Sequence, residues 1–286
     1  MKELVASKEK QSLLTKPFIR WAGGKQNLIN EIFKFIPKER TARYFEPFLG
    51  GGSFFLKGEF GTSFLSDLNP NLTNSYQQVK DNPTEVFQRL QSFQFPITPE
   101  LYYKVRDEYN SCSGEQTLEQ AVRFIFLNRT SFNGIYRVNR LGHYNVPFGK
   151  ADPAFGSLEN LKAIGEKLSK ATITTGYYDE IEDVVQVNDL VYLDPPYPRL
   201  SETAFFNLYT LDRFSDDEQE DVSKFANRLD AKGAKVIVSN ADLPIIRDYY
   251  AGWDIQECSA YRYISCKKER IKVKELIIRN FTDERA

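Results

Sequence analysis

The chain has 286 residues, 41% of them hydrophobic, which is enough to bury a full core. It has no apolar run of about 18 residues, and its polar start, MKELVASKEK, lacks the core of a signal peptide, so a cytoplasmic protein without a membrane partner is expected. Scattered Cys112, Cys258 and Cys266 exclude a disulfide framework, and a single histidine, His143, leaves no multi-histidine metal site and no easy Ser-His-Asp triad, so no metal is expected.

In chain order, WAGGKQNL (residues 21–28) has a GGK turn but not the full phosphate-binding loop pattern; Lys25 there either caps a turn or meets a cofactor carboxylate. RYFEPF (43–48) and TSFLS (62–66) read as short buried strands, each closed by a turn signal, GGG or DLNPN. Three glycines between a strand and a helical start let backbone approach a ligand closely. Asp67, ending the next strand, is placed to accept hydrogen bonds from ribose hydroxyls, which suits an adenosine-bearing cofactor. The spacing departs from G-x-G-x-x-G, which weakens a nicotinamide or flavin reading.

From about residue 73 to 159 the strand signal gives way to helical segments, PTEVFQRLQSF and LEQAVRFIFLNR, followed by a loop-rich portion. The net charge of −1 hides a segregation here: residues 121–150 hold no acid but carry Arg123, Arg129, Arg137, Arg140 and Lys150 among aromatics. A second basic stretch, YRYISCKKERIKVK, follows later, while acids gather in DEIEDVVQVND and DRFSDDEQED. Basic runs mixed with aromatics fit a nucleic-acid surface. DLVYL, AKVIVSN and KVKELIIRNF give three more strands, with a charged helical stretch over 215–231. Strands alternating with helices imply an α/β, doubly wound, mostly parallel sheet. The domain division that follows is a discontinuous catalytic part, 1–72 and 160–286, with a mainly helical recognition insertion over 73–159.

DLVYLDPPY delivers Asp194 at the carboxyl end of a central strand, where open α/β sheets bind ligands. Pro195 and Pro196 stop the strand and stiffen it, so the Pro195 carbonyl becomes an oriented acceptor beside the Asp194 carboxylate. Two adjacent acceptors followed by Tyr197 suit an exocyclic amine on a planar heterocycle: both amino hydrogens are held and the ring stacks on tyrosine. Held in line with an electrophilic methyl, such an amine gains the orientation that a bimolecular transfer lacks.

PFIRWAGGK, YFEPFLGGGSFF, FLSDLNPNL, NRTSFNGIYRVNRLGHYNVPFGK and DLVYLDPPY, in that order, resemble the Dam-type DNA adenine-N6 methyltransferases of the alpha group, over roughly residues 17–281. The resemblance implies the Rossmann-like sheet of class I methyltransferases, S-adenosyl-L-methionine as methyl donor, and an adenine flipped out of duplex DNA, in a GATC-type site. It implies cofactor contacts at Trp21, Lys25, Glu46, Phe48, Gly50, Asp67, Tyr178 and Asp194, and a catalytic tetrad Asp194, Pro195, Pro196 and Tyr197. On the DNA side, Arg137 would read a guanine, Ile135 and Pro147 a thymine methyl, and Arg20 the outer base pair, with Phe132 wedging into the stack beside Asn133. Arg129, Asn139 and Lys150 complete the implied DNA-binding set. A cognate restriction endonuclease is a possible partner; solitary, restriction-linked and phage-encoded origins stay open, as does oligomeric state. Rival readings are an RNA base N-methyltransferase with the same clamp, a nucleotide-dependent oxidoreductase, and a catalytically silent DNA-binding module. Direct transfer needs no covalent enzyme intermediate, in keeping with cysteines that lie outside every motif.

Overall fold

In the computed structural model, which describes residues 15–25, 28–37, 41–149, 153–197, 215–263 and 270–282, the short apolar runs become strands of one seven-stranded sheet. Helix α1 (Ile29–Ile32) precedes β1 (Tyr44–Glu46), α2 (Ser53–Lys57), β2 (Ser63–Asp67) and α3 (Pro70–Asp81). Next come α4 (Pro83–Gln91), α5 (Pro99–Ser111) and α6 (Leu118–Thr130), then a loop, α7 (Leu158–Leu168) and β3 (Ala171–Thr175). The described chain continues through β4 (Leu190–Leu193), α8 (Asp216–Ala231), β5 (Lys235–Ala241), α9 (Pro244–Tyr249), β6 (Asp254–Tyr263) and β7 (Arg270–Arg279). Side-chain caps set the helix starts: Asn69 accepts from the Asn71 and Leu72 amides ahead of Pro70, and Thr98, Thr117 and Ser157 open α5, α6 and α7 in the same way.

The strand order is β3-β2-β1-β4-β5-β7-β6. The pairings from β3 to β5 are parallel, and β7 runs antiparallel between β5 and β6. This is the α/β, doubly wound, mostly parallel sheet that the sequence leads one to expect. Chain order reverses between β1 and β4, so a crevice opens beyond the carboxyl ends of those two strands.

Period-two alternation divides the buried side chains between the two faces. Tyr44, Leu65, Tyr192, Ile237 and Ile277 join one core cluster, together with Leu72, Val86, Tyr102, Phe126 and Ile164 from α3 to α7. Phe45, Val191, Leu193, Val236, Val238, Leu276 and Ile278 face α8 on the other side. The same parity puts Glu46, Asp194, Ser239 and Glu275 on the first face, because Phe45 pairs with Val191, Leu193 with Val238 and Ala241 with Glu275. A row of polar side chains thus crosses four neighbouring strands at the crevice.

The five expected strands and the helical segments over 83–93, 118–129 and 215–231 are present. Two strands went unforeseen, β3 and β6. Both are edge strands: the residues of β3 after Ala171 are mostly exposed threonines, and β6 opens with the polar run Asp254–Glu257. Neither carries the apolar run that marks a strand buried on both faces. No helix among the described residues is long and apolar enough to cross a membrane, and no group of three His, Cys, Asp or Glu side chains among them is placed to hold a metal ion.

Candidate active site and nucleic-acid interface

At the end of β4, Asp194 Oδ1 accepts from Lys25 Nζ at 2.7 Å and from Ser239 Oγ at 2.7 Å. Its Oδ2 receives no hydrogen bond from a described residue. Lys25 is 7% exposed, donates also to the Gly23 carbonyl at 2.8 Å, and lies 4.4 Å from the centre of the Tyr197 ring. The sequence left Lys25 as a turn cap or a cofactor contact; the structure joins it to Asp194. Ser239 in turn lies 3.0 Å from the Tyr192 hydroxyl.

The stiff turn is pinned from both sides. Gln219 on α8 donates to the Pro196 carbonyl at 2.7 Å and is itself held by Asn240 at 2.8 Å. Tyr197 donates its hydroxyl to Glu275 at 2.7 Å, which fixes the plane of its ring. No described donor reaches the Pro195 carbonyl.

Burial raises the Asp194 carboxyl above the usual aspartate range; Lys25 and Ser239 pull it back and Glu275 adds to the rise. Glu46, 2% exposed, accepts from the Tyr44 hydroxyl at 2.6 Å. Burial pushes Glu46 up to about 8, with the Asp194 charge adding to the rise and hydrogen bonds from Tyr44 and the Phe55 backbone opposing it.

The glycine loop closes the other wall of the crevice. Gly50 has φ +46°, and a Cβ there would stand 2.8 Å from the Trp21 ring, so only glycine allows this approach. Asp67 accepts from the Gly50 amide at 2.9 Å and the Asn69 amide at 3.0 Å, which ties the loop to the end of β2. Its carboxyl is raised by burial against the opposing pull of those amides. Trp21 stacks on Tyr136 at 5.7 Å, and Phe48 on Tyr178 at 5.1 Å. Among the residues implied as cofactor contacts, the structure thus brings Gly50 against Trp21 and Asp67, Phe48 against Tyr178, and Lys25 against Asp194.

The segment after α6 folds back on itself through bridges Ser131 to Phe148 and Val138 to Tyr144. Its tip is an Asn139 turn, with the Asn139 side chain accepting from the Leu141 and His143 amides at 2.9 and 3.0 Å. Phe132 is 52% exposed, Asn133 beside it is left-handed at φ 57°, and Pro147 is exposed. Ile135 is half-buried, and its carbonyl accepts from the Tyr144 hydroxyl at 2.9 Å. Arg137 lays its guanidinium on Asn145, with contacts of 2.6 and 3.0 Å. Arg129 turns inward to the Ala154 carbonyl, and burial, helped by Arg20, lowers its pKa. The structure brings Arg20 to this loop as well: its Cδ stands 2.4 Å from where a Gly134 Cβ would be. Lys150 and much of the second basic stretch lie outside the described residues.

Four positioning residues escaped the sequence reading. Ser239, Gln219 and Glu275 support the turn at Asp194, and buried Asn128 clasps the Arg20 backbone through two hydrogen bonds of 2.7 Å. Strand parity could have suggested Ser239 and Glu275; nothing local marks Gln219 or Asn128.

The doubly wound sheet thus ends β4 in an Asp-Pro-Pro-Tyr turn supported by Lys25, Ser239, Gln219 and Glu275. The family model "D12 class N6 adenine-specific DNA methyltransferase" matches residues 21–264, and the chain belongs to that family. Among its relatives, the type II methyltransferase M.MjaIII of Methanocaldococcus jannaschii is 36% identical, covering 93% of this chain and 99% of its own length. M1.LlaDCHI of Lactococcus lactis subsp. cremoris, also a type II methyltransferase, is 33% identical over 96% of this chain and 98% of its own. A DNA adenine methylase of Vibrio cholerae is 33% identical over 92% and 95%.

Proposed function

We propose that the protein transfers a methyl group from S-adenosyl-L-methionine to N6 of an adenine flipped out of duplex DNA, at a short GATC-type site in the cytoplasm. The observation that carries the reading is the Asp194 carboxylate at the end of β4, held on Oδ1, with Oδ2 bonded by no described residue, beside the Pro195 carbonyl and the fixed Tyr197 ring.

The crevice fits the cofactor. The glycine loop lies so close to Trp21 that a Cβ at Gly50 would fill the cradle, and Asp67 beyond it and the paired rings of Phe48 and Tyr178 suit a nucleoside. Trp21, Lys25, Glu46, Phe48, Gly50, Asp67 and Tyr178 would hold it there. When bound, S-adenosyl-L-methionine supplies an electrophilic methyl carbon on a sulfonium leaving group. Asp194 Oδ2 and the Pro195 carbonyl accept the two N6 hydrogens and turn the nitrogen lone pair out of the ring plane. Tyr197 stacks the base, and Pro196, pinned by Gln219, keeps the turn from relaxing. Asp194 takes the proton that the amine sheds after the new N–C bond forms.

Recognition is assigned to the 73–159 insertion. Arg137 would leave Asn145 to read a guanine, Ile135 and Pro147 would pack on a thymine methyl, and Phe132 with Asn133 would fill the vacated stack. Arg20, Asn139 and Lys150 would add the outer contacts, whereas Arg129, turned inward to the Ala154 carbonyl, would support the loop. The test is transfer of tritiated methyl to duplex DNA and to RNA of matched sequence: label on DNA adenine is expected, and label on RNA alone would reverse the assignment. Calorimetry with Asp67→Ala adds a check of the crevice, for which weaker cofactor binding is expected.

A further inference from the structure

We infer that Ser239, backed by Tyr192, is the positioning residue that holds the Asp194 carboxylate in register when the target amine takes the place of Lys25; the inference rests on the amine clamp proposed above. Lys25 reaches Asp194 through Oδ1, at 2.7 Å, beside the Oδ2 assigned to the base, and lies 4.4 Å from the centre of the Tyr197 ring on which the base would stack. An ammonium and a stacked aminopurine cannot share one face of Tyr197, so a base stacking on that face moves Lys25 aside. Ser239 comes from another direction. It sits on β5 next to the Leu193–Val238 pair, is 1% exposed, and bonds Asp194 Oδ1 from within the sheet face at 2.7 Å, where no base can displace it.

Direction of donation supports the role. With its own proton on Asp194, the Ser239 oxygen is left as an acceptor, and the Tyr192 hydroxyl at 3.0 Å is placed to donate to it. Two hydroxyl dipoles in series then point at one carboxylate oxygen, in a buried place where such bonds are strong. The other groups around Asp194 do the opposite. Glu46 from β1 and Glu275 from β7 are carboxyl groups, and Tyr44, Tyr192 and Tyr197 are phenols that burial keeps neutral. Lys25 is the cation that faces Asp194 among these groups. Once it moves, Ser239 is what keeps Asp194 an oriented acceptor instead of a protonated acid.

The test is single-turnover methyl transfer to duplex DNA against pH, for wild type, Ser239→Ala, Ser239→Thr and Tyr192→Phe, with KM for cofactor and DNA. Removing a donor from a carboxylate raises its pKa, so the acid limb of the Ser239→Ala profile should move to higher pH. Its rate should fall roughly ten- to a hundredfold, as for a lost hydrogen bond to a charged group, with both KM values within about threefold of wild type. Ser239→Thr should restore the limb, and Tyr192→Phe should shift it the same way but less. An unchanged rate and limb in Ser239→Ala overturns the inference, as does a pH-independent loss that threonine does not repair. Should Ser239→Ala fail to fold, Tyr192→Phe decides: a shifted limb supports the relay and an unshifted one rejects it. Wild-type enzyme that labels no DNA adenine overturns the parent reading and this one together, whereas an active wild type with an indifferent Ser239→Ala overturns this one alone.

Discussion

Two aspartates bracket β4 in DLVYLD, and the structure gives them opposite tasks. Asp189, at the amino end and fully buried, is saturated: Arg43 meets its two oxygens at 3.1 and 2.6 Å, and the Gln186 amide adds a third bond at 2.8 Å. Asp194, at the carboxyl end, has one oxygen held by Lys25 and Ser239 and the other bonded by no described residue. Both are carboxylates withdrawn from most of the solvent that need partners, but among the described residues Asp194 alone of the two keeps an acceptor for something that is not protein. In a parallel sheet the carboxyl ends face the crevice and the amino ends face structural turns, so place along the strand separates function from support.

Substitution at each end can break that contrast. Asp194→Ala should lower methyl transfer at least about a hundredfold, the scale of losing a main polar contact to the reacting group, in a protein that still folds. Transfer within a few fold of wild type would remove Asp194 from the chemistry. Asp189→Ala should cost about 2 to 4 kcal/mol of stability in denaturant titration, because it leaves Arg43 unpaired; the quarter exposure of Arg43 keeps this below the cost for a wholly buried pair. Its specific activity at low temperature should survive, and a loss of turnover without loss of stability would reverse the two roles.

Farther from the sheet the expected effects shrink. Arg137→Ala should cost about 1 to 3 kcal/mol at one base pair and relax preference there, read by competition among single-base site variants. Equal losses at every variant would make Arg137 a phosphate contact. Glu46 offers a pH test. Its folded pKa, about 8, stands above its ordinary 4.5, so the folded state holds the proton more tightly and stability falls as pH rises between those values. Glu46→Gln should therefore melt higher than wild type at pH 8, and the gap should close below about pH 4.5. A gap constant over that range would mean that Glu46 is ionised in the fold.

Much of the crevice was legible because its parts are local. A strand, a glycine turn and an acid one strand later lie within residues 43–67, and Asp194 to Tyr197 are contiguous. The supports were not legible, since each is a long-range partner: Ser239 stands 45 residues from Asp194, Glu275 stands 78 from Tyr197, and Asn128 stands 108 from Arg20. Lys25 was noticed, yet its bond to Asp194 depends on how the first described segment folds over the sheet. Arg129 shows the reverse case, a basic residue in an acid-free run whose side chain packs against the Ala154 carbonyl. Composition marks a charged segment but not which of its side chains turn inward.

The most direct measurement is to incubate the protein and S-adenosyl-L-methionine with genomic DNA lacking adenine methylation, then map modified bases by sequencing. N6-methyladenine confined to one short motif, GATC, is expected, and it should vanish with Asp194→Ala. Absence of N6-methyladenine after incubation with the wild type, or undiminished methylation by Asp194→Ala, would contradict the account.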